Sequence, residues 1–172
     1  LAQLKSVAGL PAFGRIMEVG KYEFVSEVDD ADPRTHVVVH LYEEYLYACR
    51  RMNEVLASLA ARYPHVKFLK LRATDADQTL SHSVLPAFLV YRGGKLCGSA
   101  SINTSKSDLA DGNFSEEDVE WMLATRYGVQ FPGVDFSKRE RARAAATQKK
   151  EEAEADAEAA ERTRMGVPRM VA

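Results

Sequence analysis

The hydrophobic positions of this chain change period several times, and each change marks an element. Phe13-Gly-Arg-Ile-Met-Glu-Val19 alternates loosely and predicts a first strand, and Lys21–Val28, partly apolar through Tyr22, Phe24, Val25 and Val28, predicts a short helix. The aspartate-rich turn Asp29–Pro33 leads into Thr35–Tyr42. There Val37, Val38, Val39 and Leu41 form the β-branched run of a strand covered on both faces. From Cys49 the spacing becomes helical. Cys49, Met52, Val55, Leu56, Leu59 and Ala60 share one stripe, so a helix over Ala48–Tyr63 has a single face to bury, and Pro64 stops it. Val66–Arg72 predicts the next strand, and a strand-helix-strand order predicts a right-handed crossover between parallel strands.

The second half is punctuated by turn residues. Thr74–Ser83 is polar and reads as a short helix or a loop. Pro86 cannot donate to a ladder, which places it at the start of a strand. Ala87–Tyr91 and Lys95–Ala100 then form a hairpin around Arg92-Gly93-Gly94. Ser101–Asn113 reads as a polar loop. Ser115 caps a last helix through Tyr127, with Val119, Met122 and Leu123 inward and Gly128 past its end. The order β-α-β-α-β-α-β-β-α predicts an α/β domain, a central mixed sheet flanked by helices.

At both ends the pattern fades. Residues 1–12 read as a connector with turn signals at Gly9 and Pro11, in which Leu1, Leu4 and Val7 fit the last turns of an upstream helix. Beyond Pro132-Gly133 the chain turns to alanine and charge. Ser137–Arg164 begins basic (Lys138, Arg139, Arg141, Arg143, Lys149, Lys150) and continues acidic (Glu151, Glu152, Glu154, Asp156, Glu158, Glu161), with no apolar stripe. The basic start runs against the helix dipole. This tail reads as a solvated single helix or a segment ordered by a partner, with Met165–Ala172 disordered unless a partner holds it. The organisation is a connector at 1–12, a domain at 13–131 and a charged helical tail at 132–172.

Composition narrows the function classes. The 172 residues are 46% hydrophobic, enough for one ordinary core, and 23 basic against 25 acidic residues give no nucleic-acid or membrane-surface signature. No apolar run reaches the roughly 20 residues of a membrane span. Cys49 and Cys97 do not make a disulfide framework, and with no signal-like segment the simplest location is the cytoplasm. Beginning at Leu1, the chain reads as a fragment. No pattern implies a cofactor. His36 and His40 share a strand face, but without a third ligand they read as structural or pairing residues rather than a metal site.

The Cys49 helix and the Pro86 loop together resemble the thioredoxin fold, in which a cis-proline loop faces the N-terminus of the active-site helix. The resemblance implies that Cys49 stands at the second, resolving position of that family's Cys-x-x-Cys pair and Leu46 at the nucleophile's. Tyr45 falls where the family keeps a tryptophan, and His40 where it buries an aspartate. Without the first cysteine there is no internal disulfide to cycle. Leu46 and Cys49 are thus a vestigial active site, and Pro86 its cis-proline.

A more specific resemblance is to phosducin and the phosducin-like proteins. It is carried by Phe13–Val19, by Val39-His-Leu-Tyr-Glu43 with Cys49 and Met52-Asn53, by Leu59–Phe68, by Leu85–Leu96, and by Asp118-Val-Glu-Trp121 through Gly128. That family binds proteins: its members regulate G-protein beta-gamma dimers or act as co-chaperones of the cytosolic chaperonin in folding beta subunits, actin and tubulin. The family's N-terminal helical region is missing from this chain, and the tail is longer and more alanine-rich than the family's short acidic one.

The implied function is a redox-inactive protein-binding module, partnered by chaperonin, G-protein beta-gamma or cytoskeletal clients. The alternatives are a scaffold subunit of a larger assembly anchored by its tail, and a monothiol redox protein using Cys49. Cys49 reads either as a nucleophile at a helix N-terminus, where the dipole lowers a thiol pKa, or as a small buried hydrophobe. Glu43, Glu44, Tyr45 and Tyr47 gather where thioredoxin meets its substrates. They read either as a protein-contact patch or as a cover for the helix end.

Overall fold

The computed structural model describes residues 2–102 and 113–166, which fall into two compact units, Leu1–Pro132 and Gly133–Ala172. In the first unit the elements are α1 (Ala2–Val7), β1 (Ile16–Glu18), α2 (Lys21–Asp29), β2 (His36–Tyr42), α3 (Tyr47–Arg62), β3 (Lys67–Arg72) and α4 (Ala73–Ala76). A 3-10 turn (His82–Val84), β4 (Ala87–Arg92), β5 (Lys95–Ser101) and α5 (Glu116–Tyr127) complete it. Among its described residues the second unit holds one helix, α6 (Phe136–Arg164).

The strands form one five-stranded sheet in the order β1-β3-β2-β4-β5. β1, β3 and β2 run parallel, while β4 and β5 are antiparallel additions, so the sheet is mixed. Every residue of β2 is buried, as expected of a central strand covered on both faces. Alternation divides its side chains. Val37, Val39 and Leu41 join Val28, Leu69 and Leu71, with Phe24 of α2 packed against them. The opposite face carries Val38 and His40, in register with Phe68 and Phe88. There α3 lies down, since His40 bonds Asn53 of that helix. The stripe Met52, Val55, Leu56 and Leu59 is buried, each large side chain worth about 1.5–3 kcal/mol in apolar burial.

The two ends of α5 follow their local chemistry. Ser115 Oγ accepts from Asp118 N while Asp118 Oδ2 accepts from Ser115 N, a reciprocal cap. Gly128, at φ 68°, closes the helix as its N–H reaches Ala124 O and Val129 N reaches Leu123 O. The sheet meets this helix at Gly98, where a Cβ would stand 2.6 Å from the ring of Tyr127. The hairpin turns at Gly93 and Gly94, both at positive φ.

Several boundaries differ from expectation. β1 is only Ile16–Glu18, because those are the residues that pair with β3. α3 starts one residue early, at Tyr47, and the polar stretch after β3 splits into α4 and the 3-10 turn. Part of the connector is helical, as α1. Most of the expected loop Ser101–Asn113 and nearly all of the terminal stretch Met165–Ala172 lie outside the described residues.

α5 is fastened to α3 by a group that the sequence did not single out. Glu120 is fully buried and accepts from Tyr63 Oη at 2.8 Å and Arg62 Nη1 at 2.9 Å. Arg62 also reaches Glu116 at 2.5 Å. On the other face Lys67, buried, donates to Glu27 O at 2.7 Å and pairs with the Glu27 carboxylate, tying β3 to α2.

Candidate functional site

The site is built where β2 hands over to α3. After Tyr42 the chain makes one turn, with Leu46 N donating to Glu43 O, and Leu46 then occupies the N-cap position without a side-chain cap. An apolar residue is poor at that position unless it has somewhere to go. Leu46 does: half-buried, it packs against the cluster containing Cys49, Leu41 and Leu85. Leu46 is thus held partly inside, against that buried cluster.

Cys49 sits in the first turn of α3, fully buried. Burial pushes its thiol pKa up; a backbone hydrogen bond at Glu43 opposes this and the Glu43 charge reinforces it. Desolvation thus works against the thiol activation that the nucleophile reading of Cys49 requires. Cys97 is exposed on β5, opposite a bulge at Val90/Tyr91.

The four residues grouped in the sequence divide between inside and outside. Glu43, expected in the contact patch, is buried, and its Oε1 accepts from Thr74 N at 2.9 Å. It fixes the β2–α3 turn to the start of α4 instead of facing solvent. Glu44, Tyr45 and Tyr47 are exposed, the tyrosines at 61% and 72%. Arg50 organises this edge: its Nη1 donates to Glu44 O at 2.8 Å, and its guanidinium lies 6.0 Å from the centre of the Tyr47 ring.

Tyr45 links the corner to the proline loop. Its hydroxyl is hydrogen-bonded to His82 Nδ1, and the two rings are 5.8 Å apart. His82 opens the 3-10 turn, which ends at the cis Leu85–Pro86 bond immediately before β4. Ile102 N donates to Pro86 O, anchoring the loop to the end of β5. The thioredoxin-like apposition of helix N-terminus and cis-proline loop is therefore present, bridged by an aromatic pair. Neither His82 nor Arg50 had a sequence signal, since each acts through a neighbour distant or off-pattern in the chain.

Beneath the corner, His40 is fully buried and its Nδ1–H donates to Asn53 Oδ1 at 2.8 Å. Burial lowers its pKa to about 4, so the ring is neutral, and Nε2 has no hydrogen-bond partner. His36, on the same face, is likewise lowered to about 4 by burial, helped by Arg92 and His65. Among the described residues no group of three His, Cys, Asp or Glu side chains could hold a metal ion. Tyr42 donates to Glu18 Oε1 at 2.7 Å, and burial with that bond pushes its pKa up to about 12. An open concavity of about 620 Å³, lined by Lys21, Tyr22 and Thr74–Gln78, lies at the C-terminal ends of β1 and β3. No described helix is long and apolar enough to cross a membrane.

Comparison with known proteins agrees with this geometry. Residues 3–157 match the family model described as Phosducin. Phosducin-like protein 1 of Dictyostelium discoideum is 33% identical over 113 residues, covering 66% of this chain and 35% of that protein. Phosducin of Bos taurus is 38% identical over 122 residues, covering 69% of this chain and 48% of that protein. The chain thus spans between about a third and a half of the length of these relatives. Among solved structures, a chain of the ferredoxin:thioredoxin reductase and thioredoxin f2 complex matches with a TM-score of 0.51 and 21% identity. That match covers 65% of this chain and 94% of the other, and the fold is thioredoxin-like.

Proposed function

The chain belongs to the phosducin family, and on that premise we propose that it is a protein-binding module without thiol chemistry. In this reading it works in the cytoplasm as a co-chaperone of the cytosolic chaperonin, a regulator of G-protein beta-gamma, or both. The observation that carries it is an exchange at one corner. The nucleophile's position holds Leu46, half-buried against the core, the remaining Cys49 is sealed, and the surface above them presents Tyr45 and Tyr47 braced by His82 and Arg50.

Braced aromatics suit protein recognition. Tyrosine offers a large contact area with few rotors, and a ring already held by a neighbour loses little freedom when a partner covers it. Monothiol exchange through Cys49 is disfavoured by its burial and its raised pKa.

The test is affinity capture with the chain as bait, comparing wild type with the double variant Tyr45→Ala/Tyr47→Ala. Chaperonin subunits or G-protein beta should be retained by the wild type and reduced at least about tenfold with the variant. Equal capture by both would remove the corner from the interface. Capture of neither partner would remove the co-chaperone and G-protein readings.

A further inference from the structure

α6 contains 29 residues and none of them is buried. At 1.5 Å per residue it is about 43 Å long. Its charges are segregated, and segregation is unfavourable within one helix. Arg139 and Arg143 lie one turn apart, as do Glu154 and Glu158, and like charges at that spacing repel. The basic block occupies the N-terminal half and the acidic block the C-terminal half, each opposed by the backbone dipole. The cross-sign contact Lys150–Glu154, at 3.9 Å, spans the junction of the blocks.

Turning a second such helix through 180° offsets these penalties with attractions between the two helices. The basic half then faces the acidic half at both ends, and the two dipoles run antiparallel. A surface for close approach also exists. Ala142, Ala146, Ala153, Ala157 and Ala160, all exposed, fall within a sector of about 60° at 100° per residue. Methyl groups there allow the axes to approach to about 8 Å. One flank of that sector carries Arg143, Lys150, Glu154 and Glu161, and in an antiparallel pair, where like flanks adjoin, Arg143 comes beside Glu161 and Lys150 beside Glu154 of the second helix.

We propose that α6 is a self-complementary docking surface whose occupant is α6 of a second copy of this chain, packed antiparallel. The occupant follows from the charge order: a partner must run acidic to basic in the opposite sense, and the chain itself is such a partner. The pairing depends on charge more than on apolar area, so it is weak and salt-sensitive.

Sedimentation equilibrium of the full chain tests it, with Cys97→Ser as background to exclude disulfides. Dimer should form at about 0.01 M salt, and its dissociation constant should rise at least about tenfold at 0.15 M as the screening length drops from about 30 Å to about 8 Å. The double variant Glu154→Lys/Glu161→Lys should be monomeric, as should Arg143→Glu/Lys150→Glu. Mixing these two variants should restore a heterodimer. Circular dichroism of each variant checks that the helix persists. A monomer at low salt, a dimer indifferent to both charge reversals, or variants that stay apart when mixed would each overturn the proposal. Because none of these readouts involves chaperonin or G-protein beta, failure here is independent of the function proposed above.

Discussion

Two helices of this molecule, α3 and α6, are stable for opposite reasons. α3 is 16 residues long, has an apolar stripe, and buries Met52, Val55, Leu56 and Leu59 on the sheet. Its N-cap is a leucine, so its start is set by packing and not by a capping side chain. α6 buries nothing; its alanines supply intrinsic propensity, and Asp135 caps it by accepting from Lys138 N at 3.2 Å. A helix held by tertiary contacts has its first turn aimed at fixed neighbours. A helix held by propensity presents charge and waits for a partner.

The largest effect that would sharpen this contrast is a cavity under α3. Leu56→Ala should cost about 3–5 kcal/mol, since Leu56 is fully sealed. Urea unfolding should show a lower midpoint at an unchanged slope. A loss below about 1 kcal/mol would mean that α3 is not held by its stripe.

Next is acid. His36 and His40 have folded pKa values near 4 against an ordinary 6.5, so the unfolded chain binds more protons between those values. Stability should be full above about pH 6.5 and decline as pH falls towards 4, by up to about 3 kcal/mol for each histidine. His40→Gln should flatten the profile between pH 6.5 and 4. An equally steep profile in that variant would deny His40 its part.

Smaller again is the clamp at the other end of α3. Glu120→Gln keeps the shape but removes the charge that Arg62 and Tyr63 face, and should cost about 2–3 kcal/mol. That figure is below the usual cost for a buried pair because Arg62 is half exposed. Thermal melts would register it, and a neutral result would make the clamp incidental. The smallest effect belongs to α6: Ala145→Gly should reduce helical ellipticity, at about 1 kcal/mol locally, while the melting of the folded domain stays put. A shift in that melting would break the contrast.

Much of the fold was legible because its signals are local. The valine run marked the buried strand, the Cys49-to-Ala60 stripe marked α3, and Gly93-Gly94 marked the hairpin. The candidate site was legible only in part. Cys49 lies in the first turn of α3 and the Leu85–Pro86 bond is cis, but Glu43 turns inward to Thr74, and His82, absent from any motif, meets Tyr45.

By itself, then, the sequence determined where the longer strands and helices lie, which faces they bury, and that α6 has no large apolar stripe. These properties follow from periodicity, glycine and proline, which act over a few residues. The tertiary structure alone decided which of two adjacent glutamates is inside, that Asn53 satisfies His40, and that Glu120 joins α3 to α5. Each of these pairings needs two elements set in register from distant parts of the chain, and a buried polar group takes whichever partner that register brings within hydrogen-bond reach.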